Sequence, residues 1–133
     1  TAMVTKQGVY INIQSIDLIR VIHDLAHGYQ VDEYPKYAGF IKDKYIPLEL
    51  VEYNSLLICL SNLRTMTFTT PKETYISYPA NTKMTVHINK DNVSIVNPSD
   101  NFEPDLFTVR FMSGAILYTY DKDTIKKISS HNI

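Results

Sequence analysis

The amino-acid sequence predicts a mainly β protein of the α+β class, with antiparallel strands and hairpins, one or two short helices, and a single domain over residues 1–133. Hydrophobic residues recur at every second position along much of the chain, which is the period of a half-buried strand. Six prolines and four glycines are spread along the chain without forming a linker. With 44% hydrophobic and 20% charged residues, a chain of 133 residues can bury one ordinary core.

The N-terminal third has two interpretations. The segment SIDLIRVIHDLAHG (15–28) reads as a helix in which Ser15 is the N-cap and Asp17 lies in the first turn. It reads equally well as strand, turn and strand. A faint internal repeat accompanies it, because INIQSIDLI (11–19) and INKDNVSIV (88–96) share one pattern of apolar and polar positions. Chance and duplication explain this repeat equally well.

The middle of the chain predicts strands rich in β-branched and aromatic residues. RTMTFTTPKETYISYP (64–79) and KMTVHIN (83–89) have this composition, and Pro71 and Pro79 stand where prolines occur at strand edges and turns. Four tyrosines here and further on are interpreted as strand-packing residues before stacking platforms for bases: Tyr75, Tyr78, Tyr118 and Tyr120.

Residues 105–121, DLFTVRFMSGAILYTYD, predict a β-hairpin with its turn at Ser113-Gly114. Alternation on the first strand groups three residues on one face, namely Phe107, Val109 and Phe111. Alternation on the second strand groups Ile116, Tyr118 and Tyr120. The two strands are therefore expected to pair antiparallel.

A short helix is predicted after the hairpin, in DKDTIKKISS (121–130). Asp121 or Asp123 would cap its N-terminus. Lys126 and Lys127 lie late in the segment, where cations complement the helix dipole.

The net charge of −1 argues against a protein that coats nucleic acid through bulk electrostatics, but the charge is unevenly distributed. Residues 64–90 and 107–133 are locally basic. Residues 91–106, interpreted as an acidic loop, carry four acidic residues and no basic one. The position of the charge is therefore more informative than its total.

Other features predict a soluble, cytoplasmic domain. The longest apolar run, residues 56–60, is too short to span a membrane, and no secretory signal pattern opens the chain. The single cysteine, Cys59, lies in this run and is interpreted as a small buried hydrophobe. Thr1 and Ala2 precede Met3 and are interpreted as a cloning remnant.

HDLAHG (23–28) is the stretch that comes nearest to a catalytic motif. His23 and His27 have the i, i+4 spacing of the H-E-x-x-H zinc hydrolases, with Asp24 in place of the glutamate. The aspartate is one methylene shorter than that glutamate, and no third ligand stands at motif spacing. The histidines are therefore interpreted as the end of a segment, and we expect no enzyme activity, no metal and no cofactor.

Four stretches follow one another in the order and approximate spacing of a known family: IPLELVEYNSLLICLSNLR (46–64), ETYISYPANT (73–82), VHINKDNVSIV (86–96) and FTVRFMSGAILYTYDKDTIKKI (107–128). With VYINIQSIDLIRV (9–21) as a first strand pair, this succession resembles the competence transcription factor ComK family over most of the chain.

The chain departs from the ComK pattern at three places. The turn before Arg64 lacks the family's glycines, and Tyr78-Pro79-Ala80 stands where the family has Phe-Pro-Thr. The family's longer C-terminal segment has no counterpart after Ile133. The resemblance therefore implies a shortened relative or the core of one.

The resemblance implies a DNA-binding transcriptional regulator. ComK proteins activate transcription by binding A/T-rich double-stranded DNA through the minor groove, with more than one protomer on the site. It therefore implies a homo-oligomer on DNA and leaves room for a regulatory protein partner. Because minor-groove proteins need only a few well-placed cations, the small net charge is compatible with this function. The residues expected to contact DNA are Arg64 first, then Lys72 and Lys83, and then Lys42, Lys44 and Arg110.

The alternative of a different class is a small protein-binding module or inhibitor without nucleic-acid or catalytic activity. Such a module would use exposed strand edges and a Tyr-rich face to hold a partner protein. The zinc hydrolase is the third hypothesis. Affinity for DNA that falls steeply with salt would separate the first hypothesis from the second, because each neutralised phosphate releases counterions.

Overall fold

A computed structural model describes residues 1–24, 34–69, 82–98, 106–119 and 122–130 of the chain. It confirms the predicted fold class, because the described residues form a mainly antiparallel β domain with short helices. The strands are β1 Ala2–Val4, β2 Tyr10–Asn12, β3 Leu18–Asp24, β4 Lys36–Ile41, β5 Lys44–Leu48, β6 Leu63–Thr69, β7 Lys83–Asn89, β8 Val93–Pro98, β9 Phe107–Phe111 and β10 Ile116–Thr119. The helices are α1 Leu50–Cys59 and α2 Lys122–Ser130, with single 3-10 turns η1 Ile13–Ser15 and η2 Lys90–Asn92.

The strands form three antiparallel sheets. The largest has the order β5-β4-β3-β7-β6, the second β10-β9-β8, and the third consists of β1 and β2. Side chains of β7 are buried on both faces of the large sheet from Met84 to Asn89. This strand is therefore at the centre of the molecule, with one core on each side.

Two hydrophobic cores lie on opposite faces of the large sheet. On one face, alternate residues of β7 pack against the three-stranded sheet and α2, in a core that includes Met84, Val86, Ile88, Val109, Phe111, Leu117, Ile125 and Ile128. On the other face, the core under α1 and the N-terminal strands includes Ile11, Ile13, Ile16, Ile19, Ile46, Leu48, Leu56 and Leu60. The central strand β7 nevertheless alternates, with Met84, Val86 and Ile88 in the first core and the buried polar residues Thr85, His87 and Asn89 on the other face.

The chain repeats one order of elements. The series β1, β2, η1, β3, β4, β5, α1 is followed by β6, β7, η2, β8, β9, β10, α2. In both halves the first two strands pair with each other, and the next three form an antiparallel meander before a helix. The connection between the halves falls at residues 60–62.

Local geometry supports this repeat at the two echoing peptides. Asn12 before η1 has φ −79° and ψ 110°, and Asn89 before η2 has φ −77° and ψ 100°. The first residue of each turn also donates an equivalent backbone hydrogen bond, from Ile13 to the Thr1 carbonyl and from Lys90 to the Asn62 carbonyl, each at 3.1 Å. Shared element order and shared geometry favour duplication over chance as the origin of the echo.

Residues 18–24 form the strand β3, so the helical interpretation of residues 15–28 is wrong for the part that is described. β3 pairs with β4 on one side and with β7 on the other. A strand buried on both faces carries apolar residues without strict alternation, and such a run also satisfies a helical spacing. Ser15 ends η1 and caps no helix, and Asp17 lies between η1 and β3. Residues 25–33 lie outside the described part.

Two other interpretations of the sequence are corrected. Residues 91–106 are not simply a loop, because η2 and the strand β8 occupy residues 90–98. Cys59 is exposed: it is the last residue of the helix α1, in which Leu56 is the buried residue.

The C-terminal hairpin and helix are confirmed. β9 and β10 pair antiparallel around a turn in which Gly114 has φ 98°, a conformation that glycine adopts without strain. The face with Ile116 and Tyr118 is the outward one, because Ile116 lies opposite the exposed Arg110. α2 begins at Lys122 with Asp123 in its first turn, and Asp121 lies outside the described residues.

Candidate functional site

The turns of the two larger sheets meet at one end of the molecule. We call this region the turn end: it comprises η1, η2, the β4–β5 turn at Lys42-Asp43, the β9–β10 turn at residues 112–115, and residues 60–62. The Met112 amide donates to the Asn92 carbonyl at 2.8 Å, and the Asn92 side chain donates to the Gln14 carbonyl at 2.8 Å. Backbone and side-chain hydrogen bonds therefore tie the two sheets together here.

Asp17 is the centre of this connection. Its side chain is 1% exposed, and Oδ2 accepts from the Lys42 amide at 2.8 Å and from the Ser113 hydroxyl at 2.6 Å. Asn92 Nδ2 lies 3.4 Å from Oδ1. One buried carboxylate thus fixes the β4–β5 turn, the β9–β10 turn and η2, and each of these hydrogen bonds gains strength from its charge.

Lys42 has a backbone conformation that suits glycine or asparagine better than lysine. Its φ is 57°, in the left-handed region, where a residue with a Cβ costs about 1–2 kcal/mol. The hydrogen bond from its amide to Asp17 helps to hold this conformation. Nothing in the packing requires a lysine here, because its side chain is exposed. Strain of this kind is a reason to suspect a role for the side chain.

Arg64 and Lys90 form a second basic group at the turn end. Arg64 is half-buried at the start of β6, and its Nη1 donates to the Leu63 carbonyl at 3.2 Å. Lys90 in η2 is 6% exposed, and its Nζ has no hydrogen-bond partner. Desolvation by burial lowers the pKa of Lys90; the nearby Arg64 lowers it further, and Asp91 acts in the opposite direction. The proximity of two cations makes this corner electropositive.

Arg110 lies on the outer face of the three-stranded sheet among exposed apolar side chains. The register places it between Ile95 of β8 and Ile116 of β10. Met112 follows β9 and is 72% exposed, and Ile95 is 50% exposed. This surface combines a cation with apolar side chains, whereas the opposite face of the same sheet is core.

The structure places four of the six basic residues predicted from the sequence at the turn end, but spread across it, because β5 with Lys44 and β6 with Arg64 are the two edge strands of the large sheet, about 19 Å apart. Lys42 lies in the β4–β5 turn and Lys44 begins β5, Arg64 is the second residue of β6, and Arg110 lies one residue before the end of β9. Lys83 begins β7 and therefore lies at the opposite end of the large sheet, about 20 Å away along the strand. Lys72 lies outside the described residues.

The first histidine of HDLAHG does not have the helical geometry that an H-E-x-x-H zinc motif requires. His23 lies in β3, and its Nε2 is 2.7 Å from the Thr85 hydroxyl. His27 and the side chain of Asp24 lie outside the described residues. Among the residues that are described, no group of three or more His, Cys, Asp or Glu is placed to hold a metal ion.

A polar network crosses the other face of the large sheet beneath α1. The Tyr53 hydroxyl is 2.7 Å from Nε2 of His87, and Nδ1 of His87 is 2.7 Å from the Thr65 hydroxyl. Burial lowers the pKa of His87, and burial followed by the nearby Tyr37 raises that of Tyr53. Both ring nitrogens of His87 are engaged, so the network connects α1 to β6 and β7 and fixes the imidazole.

Sequence reasoning missed Asp17 as a connector and Lys90 as a buried cation. Of the two interpretations of this segment, the helical one placed Asp17 in a first turn, whereas an acidic residue before an apolar run also fits a turn that leads into a strand. Lys90 stands in the echo of the N-terminal peptide, at the position equivalent to the buried Ile13. The internal repeat is therefore the sequence feature from which the burial of Lys90 could be predicted.

Comparisons of this chain with family models, with curated proteins and with solved structures find no match. In the described part of the chain no helix is long and apolar enough to cross a membrane.

Proposed function

We propose that this protein is a DNA-binding regulator that contacts A/T-rich double-stranded DNA in the minor groove through the turn end. The observation that supports the proposal is that four basic residues lie at the same end of the molecule: Lys42, Lys44, Arg64 and Arg110. A narrow A/T-rich minor groove has an enhanced negative potential that attracts a few arginine and lysine side chains. This mode of binding requires positive charge at the contact surface and does not require a positive net charge of the whole protein.

The surroundings of Arg110 add a second argument for the minor groove. Proteins that bind there often insert apolar side chains between base steps next to their cations. Ile116 and Met112 are exposed on either side of the β9–β10 turn, close to Arg110 in the chain and in the pairing register. The strained backbone of Lys42 also has an explanation if its side chain contacts a ligand.

Binding is tested by fluorescence anisotropy with an A/T-rich duplex and a G/C-rich duplex of equal length. We expect preference for the A/T-rich duplex and an affinity that falls with salt, with a slope of about 0.9 per phosphate neutralised. Arg110→Ala and Lys42→Ala should each weaken binding and reduce that slope by about one.

Lys6→Ala is the matched control. Lys6 is an exposed lysine that pairs with Glu49 at 3.4 Å, near the end of β5 that is remote from the turn end. This substitution should leave affinity and salt slope unchanged. Failure of the wild-type protein to bind either duplex at low salt would refute the proposal, and an equal loss in Lys6→Ala would show a non-specific charge effect.

A protein-binding module is the second candidate, and one observation favours it. The helix α1 exposes Val51 and Ile58, 75% and 84% accessible, seven residues apart on one side. Apolar side chains in this arrangement are typical of a helix face that contacts another chain. Val51→Ser combined with Ile58→Ser should abolish any self-association measured by sedimentation, and leave DNA affinity of the monomer unchanged if the turn end is the DNA site.

A further inference from the structure

Lys90 occupies a position that is apolar in the other half of the repeat. Alignment of INIQSIDLI (11–19) with INKDNVSIV (88–96) sets Lys90 against Ile13. Each residue is the first of its 3-10 turn, and the two side chains are 6% and 3% exposed. The first half therefore fills this position with a hydrocarbon side chain, whereas the second half fills the equivalent position with an ammonium.

Arg64 shows the same exchange on the neighbouring strand. Met3 of β1 pairs with Ile11, and Arg64 of β6 pairs with Ile88, which is the equivalent of Ile11 in the repeat. Arg64 therefore corresponds to Met3, a half-buried residue that packs against the core of the first half. Two apolar residues of one half are thus replaced by two cations in the other half, and these cations lie close enough for Arg64 to lower the pKa of Lys90.

Neither cation has its charge compensated by an ion pair in the described part of the chain. Lys90 Nζ has no hydrogen-bond partner, and the Arg64 guanidinium donates from Nη1 to the Leu63 carbonyl at 3.2 Å. The acid of this corner is Asp91, and both of its carboxylate oxygens accept from the Asn62 amide at 2.9 Å. Two cations and one carboxylate leave the corner with one positive charge in surplus.

A covered ammonium without a partner lowers the stability of a protein, because the loss of its hydration is not compensated. Ile13 fills the equivalent position without this cost. The charged groups that act on Lys90 are the half-buried Arg64 and the exposed Asp91, so the ammonium lies close to the surface. Its flexible four-carbon chain allows it to reach an anion there without a change of backbone. Binding of an anion therefore explains a lysine at this position.

We propose that Lys90 and Arg64 together hold one phosphate group at the turn end. A lysine ammonium binds phosphate as a point charge, and a guanidinium presents parallel N–H donors that match two phosphate oxygens. A tetrahedral phosphate offers oxygens to both cations at once, whereas a carboxylate has two oxygens in one plane. The single charge of a phosphodiester also matches the surplus of this corner. The site does not depend on the DNA-binding proposal, because free phosphate presents the same chemistry as a phosphate of the DNA backbone.

Inorganic phosphate tests the site directly, added to the full chain at constant ionic strength and compared with acetate. We expect saturable changes of the amide chemical shifts of Asn62, Arg64, Lys90 and Asp91 in NMR, and weaker binding of acetate. Lys90→Met should weaken phosphate binding about tenfold or more, because it removes a charge-assisted contact. Lys6→Met is the matched control, since it makes the same change at an exposed lysine remote from the turn end, and it should leave phosphate affinity unchanged.

Three results would overturn the proposal: no saturable shifts in phosphate, equal affinity for acetate and phosphate, or unchanged phosphate affinity in Lys90→Met. A urea midpoint no lower than that of the wild type shows that Lys90→Met is folded. Arg64→Lys keeps the charge but removes the fork of donors, so it should also weaken phosphate binding. It serves as the second variant if Lys90→Met does not fold, and unchanged phosphate affinity would then overturn the proposal.

The A/T-rich and G/C-rich duplexes identify the source of the phosphate. If the DNA backbone supplies it, Lys90→Met should reduce the salt slope by about one and weaken binding to both duplexes by a similar factor, because a phosphate contact carries no sequence information. An unchanged slope together with phosphate-dependent shifts assigns the site to free phosphate. If the wild-type protein binds neither duplex, the DNA-binding proposal fails, and the titration with inorganic phosphate still decides this one.

Discussion

Replacement of Asp17 by alanine should destabilise the protein strongly, although the residue lies in no hydrophobic core. The change removes a buried carboxylate that accepts from the Lys42 amide and the Ser113 hydroxyl. Hydrogen bonds to a charged group contribute about 1.5–3 kcal/mol each, so the loss of both should lower the free energy of unfolding by about 3–6 kcal/mol. That is a large share of the roughly 5–15 kcal/mol that stabilises a typical domain.

Urea unfolding followed by circular dichroism measures this change. With an m-value of about 1–3 kcal/mol/M, the midpoint should fall by at least about 1 M while the slope stays constant. Asp43→Ala is the matched control, because this exposed acid lies in the same turn and should change stability by less than about 0.5 kcal/mol. Ser113→Ala should show part of the loss and little additional loss in the Asp17→Ala background.

The reasoning would be refuted by a small effect of Asp17→Ala. A decrease below about 1 kcal/mol would mean that water or another group satisfies the Lys42 amide and the Ser113 hydroxyl after the carboxylate is removed. Fully additive effects of Asp17→Ala and Ser113→Ala would show that the 2.6 Å contact between these two residues carries little energy.

Two further predictions concern buried ionisable groups. Lys90→Met should raise the urea midpoint, because an apolar chain of similar length replaces a buried ammonium. That ammonium has no hydrogen-bond partner and lies near the cation of Arg64. A lower midpoint would contradict the burial of Lys90. Burial lowers the pKa of His87 below its unfolded value of about 6.5. The unfolded chain therefore binds more protons than the folded one near this pH, and stability should fall as the pH drops through and below about 6.5. His87→Gln should flatten this pH dependence, measured as urea midpoints between about pH 7.5 and about pH 5.5, and an unchanged profile would assign it to other groups.

The mainly β class and the C-terminal hairpin could be predicted from the sequence because the signals are local. In β9 and β10, alternation and the glycine turn act within a short stretch of chain. β3 could not be predicted in the same way, since its conformation depends on pairing with β4 and β7, which are distant in the sequence. Long-range pairing overrides local spacing when both faces of a strand are buried.

The candidate site was predictable in composition but not in arrangement. The sequence indicated which cations to consider, and the registers of the sheets decide that Lys42, Lys44, Arg64 and Arg110 share an end while Lys83 does not. Sequence alone could not reveal that a cavity lies between the two larger sheets, because lining residues such as Phe40 and Leu117 are distant in the sequence and share it only through tertiary packing. The resemblance to ComK and the DNA-binding function both stay predictions that the duplex experiment tests.

The repeat has a consequence for how this molecule would associate or aggregate. The first half joins the second through the pair β3 and β7, which completes a five-stranded sheet. The equivalent pair, β8 with β2, is not formed in the described part of the chain, so the remaining strands stay as separate sheets of three and two. Of the two strand pairings that the repeat relates, the described structure therefore forms β3 with β7 and not β2 with β8. Among the described strands β8 has no partner on its outer side, and such an edge next to the exposed Ile95 is a template for a strand from another molecule.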